Sequence, residues 1–459
     1  MKYRIEKDFL GEMEVPDGAY WGIHTARAIG NFNFSSSRIS QELVIAFAIV
    51  KKACCSANRE LGYLDEERAA AITGACDDII DGGLSDQFPV DALQGGAGTS
   101  TNMNVNEVVA NRALEILGRP RGDYGFIHPL HHVNLHQSTN DVYPTALRVA
   151  SISRLRRLAE AVASLQGAFQ KKESEFASIV AMGRTELVEA VPVTMGAQFS
   201  AFAEALSRDR WRVFKCEERL RVVNLGGTAV GTGLAAPRSY IFLSVEKLRE
   251  VTGFGLARGE NLMGETANQD PFVEVSGILK AHCSTILKIC NDLRILSLLG
   301  EIRLPSMQAG SSIMPGKVNP VMLEGAMQCA MKVMANDMLV TEAASRGSLQ
   351  ICEFMPLLAH ALLESFEILI NLNNILSSHM AALKADAARC RNYVDMSPMT
   401  ITAFLPHLGY EKALALLEEF RAGGKLDLAA FLRSRLGSDL VDRVLSPQNL
   451  TSLGYRDNE

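Results

Sequence analysis

Residues 155–179, LRRLAEAVASLQGAFQKKESEFASI, decide how this chain folds. Leu155, Leu158, Val162, Leu165, Phe169, Phe176 and Ile179 follow one another at spacings of 3, 4, 3, 4, 7 and 3. That alternation lays one apolar seam along a helix of about seven turns. One small domain cannot cover a helix of that length, so it belongs in a bundle shared with copies of the same chain. Outward from the seam the same periodicity recurs. Helices are expected over residues 195–223, 240–252, 270–299, 320–344 and 353–385. Toward the N-terminus they are expected over 41–61, over 65–81 where Gly82-Gly83 stops the pattern, and over 104–117 where Gly118-Arg119-Pro120 stops it. Strand-like alternation is scarce, which makes the class mainly α. Residues 1–34 read as an irregular lead segment, and GRTELVEAVP (183–192) as an interruption of the helical pattern.

The 459 residues suffice for two or three domains, and 47% hydrophobic with 21% charged residues is ordinary for a globular protein. A net charge of −6 and the lack of a long basic tract argue against nucleic-acid binding. The start, MKYRIEKDFLGEMEV, is charged and lacks an apolar leader core, and no run of about 18 apolar residues suggests a membrane span. Nine scattered cysteines without a CxxC pair read as buried free thiols, so a cytoplasmic protein is expected. His132 and His136 lie four apart but have no acidic partner nearby, so no metal site is expected.

Chemistry is expected in three polar loops far apart in sequence, at 98–104, 137–143 and 308–319. Each brings small hydroxyl or amide side chains to a helix boundary, which suits a carboxylate ligand without burying excess charge. The third is the longest: QAGSSIMPGKVNPVMLE, Gln308 to Glu324. Gly310 lets the backbone bend, Ser311 and Ser312 set two hydroxyls side by side, Lys317 is the one cation inside these loops, and Pro320 suits a helix start. Ile313, Met314 and Val318 imply that the loop is partly buried or closes over something. A fourth loop, NLGGTAVGTGL (224–234), mimics a dinucleotide fingerprint, but no strand–loop–helix unit is expected around it.

GSSIMPGKVNP closely resembles the signature loop of the aspartase/fumarase superfamily, homotetrameric lyases that release fumarate, and the likeness runs from Arg4 nearly to the C-terminus. The resemblance implies a three-domain fold: an N-terminal helical domain (1–140), a central bundle of long helices forming the tetramer core (141–394) and a small C-terminal domain (395–459). It implies active sites each built from three subunits, a small dicarboxylate or amino-acid substrate, and no cofactor. GTSTNMN matches the family's first substrate loop, so Thr99 and Ser100 would contact substrate; QSTND matches the second, so Ser138, Thr139 and Asn140 would hold a carboxylate and the leaving amine. Gly183-Arg184-Thr185 matches a further contact through Thr185. Ser311 would be the general base, Ser312 would help hold a carboxylate, and Lys317 and Asn319 would bind the other. Backbone N–H groups of the loop would have to stabilise the serine alkoxide.

Ser138-Thr139-Asn140 followed by Asp141-Val142-Tyr143-Pro144, and Gln308-Ala309 before the signature, resemble the aspartase branch, which eliminates ammonia from L-aspartate. Four positions depart from the family's pattern: Glu186 stands where relatives have His or Gln, Ala235 replaces an asparagine, Leu135 replaces a lysine, and an arginine-containing segment is missing near 297–301. Glu186 would lie near the leaving group and face Glu324, and two such carboxylates would share a proton or clasp a cation. That raises an N-substituted or otherwise modified aspartate as an alternative substrate. Fumarate hydration is a further alternative, and a non-catalytic scaffold like the crystallins of this superfamily is another.

Overall fold

The structure, a computed structural model, describes residues 2–424 and 426–455. The lead segment is not irregular. It forms a hairpin, β1 (Tyr3–Asp8) against β2 (Gly11–Pro16), followed by α1 (Ile23–Asn31). Its alternation is hidden because a buried strand position carries a carboxylate: Glu6 is enclosed and accepts from the Ile23 N–H at 2.8 Å and from Arg4 at 2.8 Å. Next come α2 (Gln41–Glu60), α3 (Glu66–Ile80) and α4 (Thr99–Ile116). Asp65 caps α3 by accepting from the Arg68 N–H at 2.9 Å, and Gly82 closes it in the left-handed region at φ 89°.

The helix carrying the seam is α5 (Thr139–Glu175). It starts before Pro144, which therefore sits inside it. A proline there leaves the carbonyl four residues back without its helical donor. That carbonyl belongs to Asn140, and the Asn224 amide donates to it at 2.9 Å. Phe176, just past the helix end, continues the seam and packs on Phe199 with ring centroids 5.2 Å apart.

The interruption at 183–192 is a second hairpin, β3 (Val180–Thr185) with β4 (Val188–Thr194), leading into α6 (Met195–Leu220). Around the glycine-rich loop the structure does place a small strand–loop–helix unit, contrary to expectation. Here β5 (Val222–Val223) is followed by α7 (Arg238–Thr252) and by β6 (Ala257–Arg258), parallel to β5. With two residues per strand, it has no length at which sequence alternation could show. The chain continues through α8 (Leu262–Ala267), α9 (Asp270–Leu298), β7 (Ile302–Arg303), α10 (Val321–Ser345), α11 (Met355–Ala381), β8 (Lys384–Ala385, paired with β7) and α12 (Ala387–Met396) to shorter C-terminal helices. By length and composition α11 passes as a membrane span, but 67% of its most apolar stretch is buried inside the protein.

The chain divides into two compact units, and α5, α6, α9, α10 and α11 contribute segments to both. One unit comprises Met1–Leu158, Arg212–Lys280 and Lys332–Ile368. Its core packs α2 against α3 and α7, with Phe47, Ile72 and Leu248 enclosed and Phe47 edge-on to Tyr143. The other comprises Ala159–Trp211, Ala281–Met331 and Leu369–Glu459. It holds a ring cluster of Phe169, Phe176, Phe199 and Phe202, and a C-terminal core around Phe404, Phe420, Phe431 and Leu432. Eight of the nine cysteines are buried, and Cys329 is half-buried.

Candidate active site

The candidate residues fall into two sets. Thr99, Ser100, Ser138, Thr139 and Asn140 belong to the first unit; Thr185, Glu186, Ser311, Ser312, Lys317, Asn319 and Glu324 belong to the second.

In the first unit the GTSTNMN segment is helical from Thr99 onward, because the turn before it is set by glycines. Gly98 has φ 89°, and a Cβ there would lie 2.2 Å from the Tyr143 ring. Thr99 is exposed and donates to the Gly96 carbonyl at 2.8 Å; Ser100 follows half-buried. The helix then turns polar residues inward. Asn102 donates to Thr139 Oγ1 at 3.1 Å and to Asn134 Oδ1 at 3.2 Å, so the first and second loops meet. Asn134 Oδ1 also receives Asn106 at 3.2 Å and the Lys51 ammonium at 2.8 Å, and Lys51 reaches Gln137 Oε1 at 2.9 Å.

Lys51, Asn102 and Asn134 are functional candidates that the sequence reading passed over. Lys51 is fully enclosed, and burial brings its pKa down to about 7. The signal was present: on α2 it stands one turn after Phe47, on the apolar face, where a lysine needs a buried partner. Asn140 is half-buried and donates to the Ala229 carbonyl at 2.7 Å, while Ser138 Oγ accepts from the Asn140 N–H at 3.2 Å.

In the second unit Thr185 and Glu186 stand exposed at the tip of the β3–β4 hairpin. Below the tip, Arg184 makes a two-pronged ion pair with the buried carboxylate of Glu301, at 2.8 and 3.0 Å, and lies over the Tyr393 ring. Arg184 thereby fixes the base of the hairpin. Glu186 and Leu187 line a hollow of about 480 Å³ with Phe202, Lys288, Asp292 and Leu296. Glu324 lines a different hollow of about 410 Å³ and faces Arg294 at 4.0 Å. Within this unit the two carboxylates do not line a common hollow.

The signature loop closes on itself. Gly310 N–H donates to the Lys317 carbonyl at 2.7 Å, and the Asn319 amide donates to the Gly310 carbonyl at 2.9 Å. A Cβ on Gly310 would fall 2.8 Å from that Lys317 carbonyl oxygen, so only glycine fits. Inside the closed loop Ser311 Oγ accepts two backbone N–H bonds, from Ile313 at 3.2 Å and from Met314 at 2.9 Å. Ser312 and Lys317 are exposed, and the Lys317 ammonium pairs with none of the described residues. Its own chain leaves the apolar members uncovered: Ile313 is 85% exposed and Met314 47%. An oxygen held by two N–H groups is better able to carry negative charge, which is what a hydroxyl acting as a base requires.

Comparison with known proteins follows the same lines. A family model described as "Lyase" matches residues 11–335. The aspartate ammonia-lyase of a Bacillus species is 43% identical over 98% of this chain and 98% of its own. Among solved structures, the fumarate lyase:delta crystallin of Brucella melitensis superimposes with a TM-score of 0.94 at 44% identity, covering 98% of this chain and 100% of that one. A class II fumarase from Schistosoma mansoni gives 0.91 at 29% identity, over 97% and 98%. The chain belongs to this lyase family, the aspartase/fumarase superfamily.

Proposed function

We propose that this protein is an aspartate ammonia-lyase acting through a serine base. The observation that carries the reading is the pair of backbone N–H bonds onto Ser311 Oγ. As alkoxide, Ser311 takes a proton from the carbon beside one carboxylate of L-aspartate. The electron pair left behind spreads onto that carboxylate as an enediolate-like dianion, which Ser312 helps hold. As the double bond forms, the C–N pair departs with nitrogen and fumarate remains. Lys317 and Asn319 bind the second carboxylate. Ser138, Thr139 and Asn140 hold a carboxylate and the leaving amine, and Thr99, Ser100 and Thr185 complete the contacts. Glu324 supports the loop from the first turn of α10. Stabilising the developing charge is worth several kcal/mol in such sites. The scheme draws on no cofactor. We further propose a homotetramer with each site shared by three subunits, subunits organised as 1–140, 141–394 and 395–459, and a cytoplasmic setting in keeping with nine scattered cysteines that form no CxxC pair.

A second reading is a lyase for an N-substituted aspartate. It is favoured by Glu186, an exposed carboxylate beside a hollow of about 480 Å³. Absorbance at the fumarate band, with L-aspartate, L-malate and a panel of N-substituted aspartates, separates the readings. Fumarate from aspartate is the expected result. Fumarate only from a substituted aspartate favours the second reading, turnover of malate alone favours a hydratase, and no turnover of any favours a scaffold. Ser311→Ala should lower the rate by about 100- to 10,000-fold; near-normal turnover in that variant would sink the base assignment.

A further inference from the structure

Ser138 to Asp141 reads S-T-N-D, a capping box at the start of α5. The structure forms its acid half, with Asp141 Oδ1 accepting from the Ser138 N–H at 3.0 Å, while Ser138 Oγ accepts one residue earlier than in the full box, from the Asn140 N–H at 3.2 Å. In an ordinary box the second oxygen of the acid faces water. Here Asp141 is completely enclosed. Its Oδ2 accepts from Gly226 N–H and Thr228 N–H, each at 3.1 Å. Both donors come from the glycine-rich loop, and both residues are left-handed, Gly226 at φ 87° and Thr228 at φ 53°. That alternation aims two N–H groups at one point, which makes a small anion nest.

Two more bonds run in parallel. Asn140 donates to the Ala229 carbonyl at 2.7 Å, and Asn224 donates to the Asn140 carbonyl at 2.9 Å. The glycines are accounted for by close approach. A Cβ on Gly226 would meet Ile241 Cα at 2.9 Å, and one on Gly231 would meet Met263 N at 2.2 Å. The loop is thus a strap pressed against its own unit, and one buried carboxylate grips both the strap and the substrate loop.

We propose that Asp141 is a positioning residue, which sets Ser138, Thr139 and Asn140 for the substrate by gripping the strap at Gly226 and Thr228 without touching the substrate itself. The proposal rests on the reading above that 138–140 hold the substrate. Three donated N–H bonds favour the ionised carboxylate, while burial opposes it and pushes its pKa up to about 6. Asp141→Asn keeps the volume but replaces one acceptor with a donor facing an N–H group. Either the capping box or the strap then opens.

The test is steady-state kinetics of the intact enzyme with L-aspartate, and inhibition by succinate, a non-reacting dicarboxylate of the same length. Asp141→Asn should raise both KM and the succinate inhibition constant about ten- to hundredfold, the loss expected for a hydrogen bond to a charged group, with kcat within about threefold. Asp141→Glu, which keeps the charge, should recover part of the loss. A lower kcat with KM and inhibition constant unchanged would mean that Asp141 only supports the fold, and the proposal would be overturned. Should Asp141→Asn fail to fold, amide hydrogen exchange on the unmodified protein decides. Succinate should protect residues 224–230 together with 138–142, and protection confined to 138–142 would overturn the proposal. Unmodified enzyme that makes no fumarate from aspartate counts against the function proposed above, while the exchange experiment still tests the strap.

Discussion

Lys51 is a cation whose enclosure governs its chemistry. Its ammonium lies among Asn134 Oδ1, Gln137 Oε1 and enclosed apolar side chains, and burial lowers its pKa to about 7. In the unfolded chain a lysine titrates near 10.4. Between those two values the unfolded chain binds more protons than the folded one, so stability rises with pH across that window and is flat below it. Lys51→Met removes the titration and takes the ammonium from Gln137 Oε1, while Asn134 Oδ1 keeps the donors of Asn102 and Asn106. The difference in thermal midpoint between the unmodified protein and Lys51→Met should therefore grow in favour of the unmodified protein from pH 7 to about 10. A difference constant over that range would show that Lys51 stays charged when folded. If Lys51 also fixes the substrate loops through Asn134, the variant should bind succinate more weakly at every pH. This much of the site was half legible: the polar loops announce themselves by composition and Ser311 by the resemblance of GSSIMPGKVNP to the family's signature loop, whereas Lys51 looks like any helical lysine until its face is counted.

Elements were legible where one face is apolar and long. The seam of α5, and the extents of α2, α3, α9 and α10, follow from 3.6-residue periodicity. Boundaries failed where side-chain hydrogen bonds override the local rule. Asn224 supplies a donor to the Asn140 carbonyl that Pro144 cannot reach with an N–H, so α5 begins at Thr139, inside the polar loop expected at 137–143. The β3–β4 hairpin was missed for a different reason. Its two-residue turn, Glu186-Leu187, adopts φ 52° and 65°, the geometry that Asn-Gly ordinarily marks. Neither residue is at ease there, and left-handed backbone costs about 1–2 kcal/mol for a residue with a Cβ. Leu187→Gly should raise the thermal stability by about 1 kcal/mol. Strain retained in an exposed tip next to Thr185 fits a working role. The same variant should then lower kcat/KM for aspartate, since a freed tip no longer holds Thr185 and Glu186 in place. Gain in stability with unchanged kcat/KM would mean that the tip takes no part in the reaction.

At the scale of the whole molecule, the long helices leave large side chains uncovered in the single chain. On α6, Trp211 is 64% and Phe214 67% exposed, three residues apart and so on one face. On α10, Met338 is 68% exposed and Met331, two turns earlier on the same face, 51%. Exposed aromatic and methionine stripes on bundle helices mark surfaces that associate. The proposed tetramer of 50.0 kDa chains predicts a particle of roughly 200 kDa by light scattering. Mass alone does not say whether sites are shared, but hybrids do. Thr139 and Ser311 lie in separate units of the chain, and under the proposed arrangement they reach a given site from different subunits. Thr139→Val and Ser311→Ala proteins, each nearly inactive, should regain fumarate production when unfolded together and refolded as mixed tetramers. Some sites then draw both loops from unmodified copies of each. If every site were built within one chain, each site would keep one of the two lesions, and the mixture would stay as inactive as its parents.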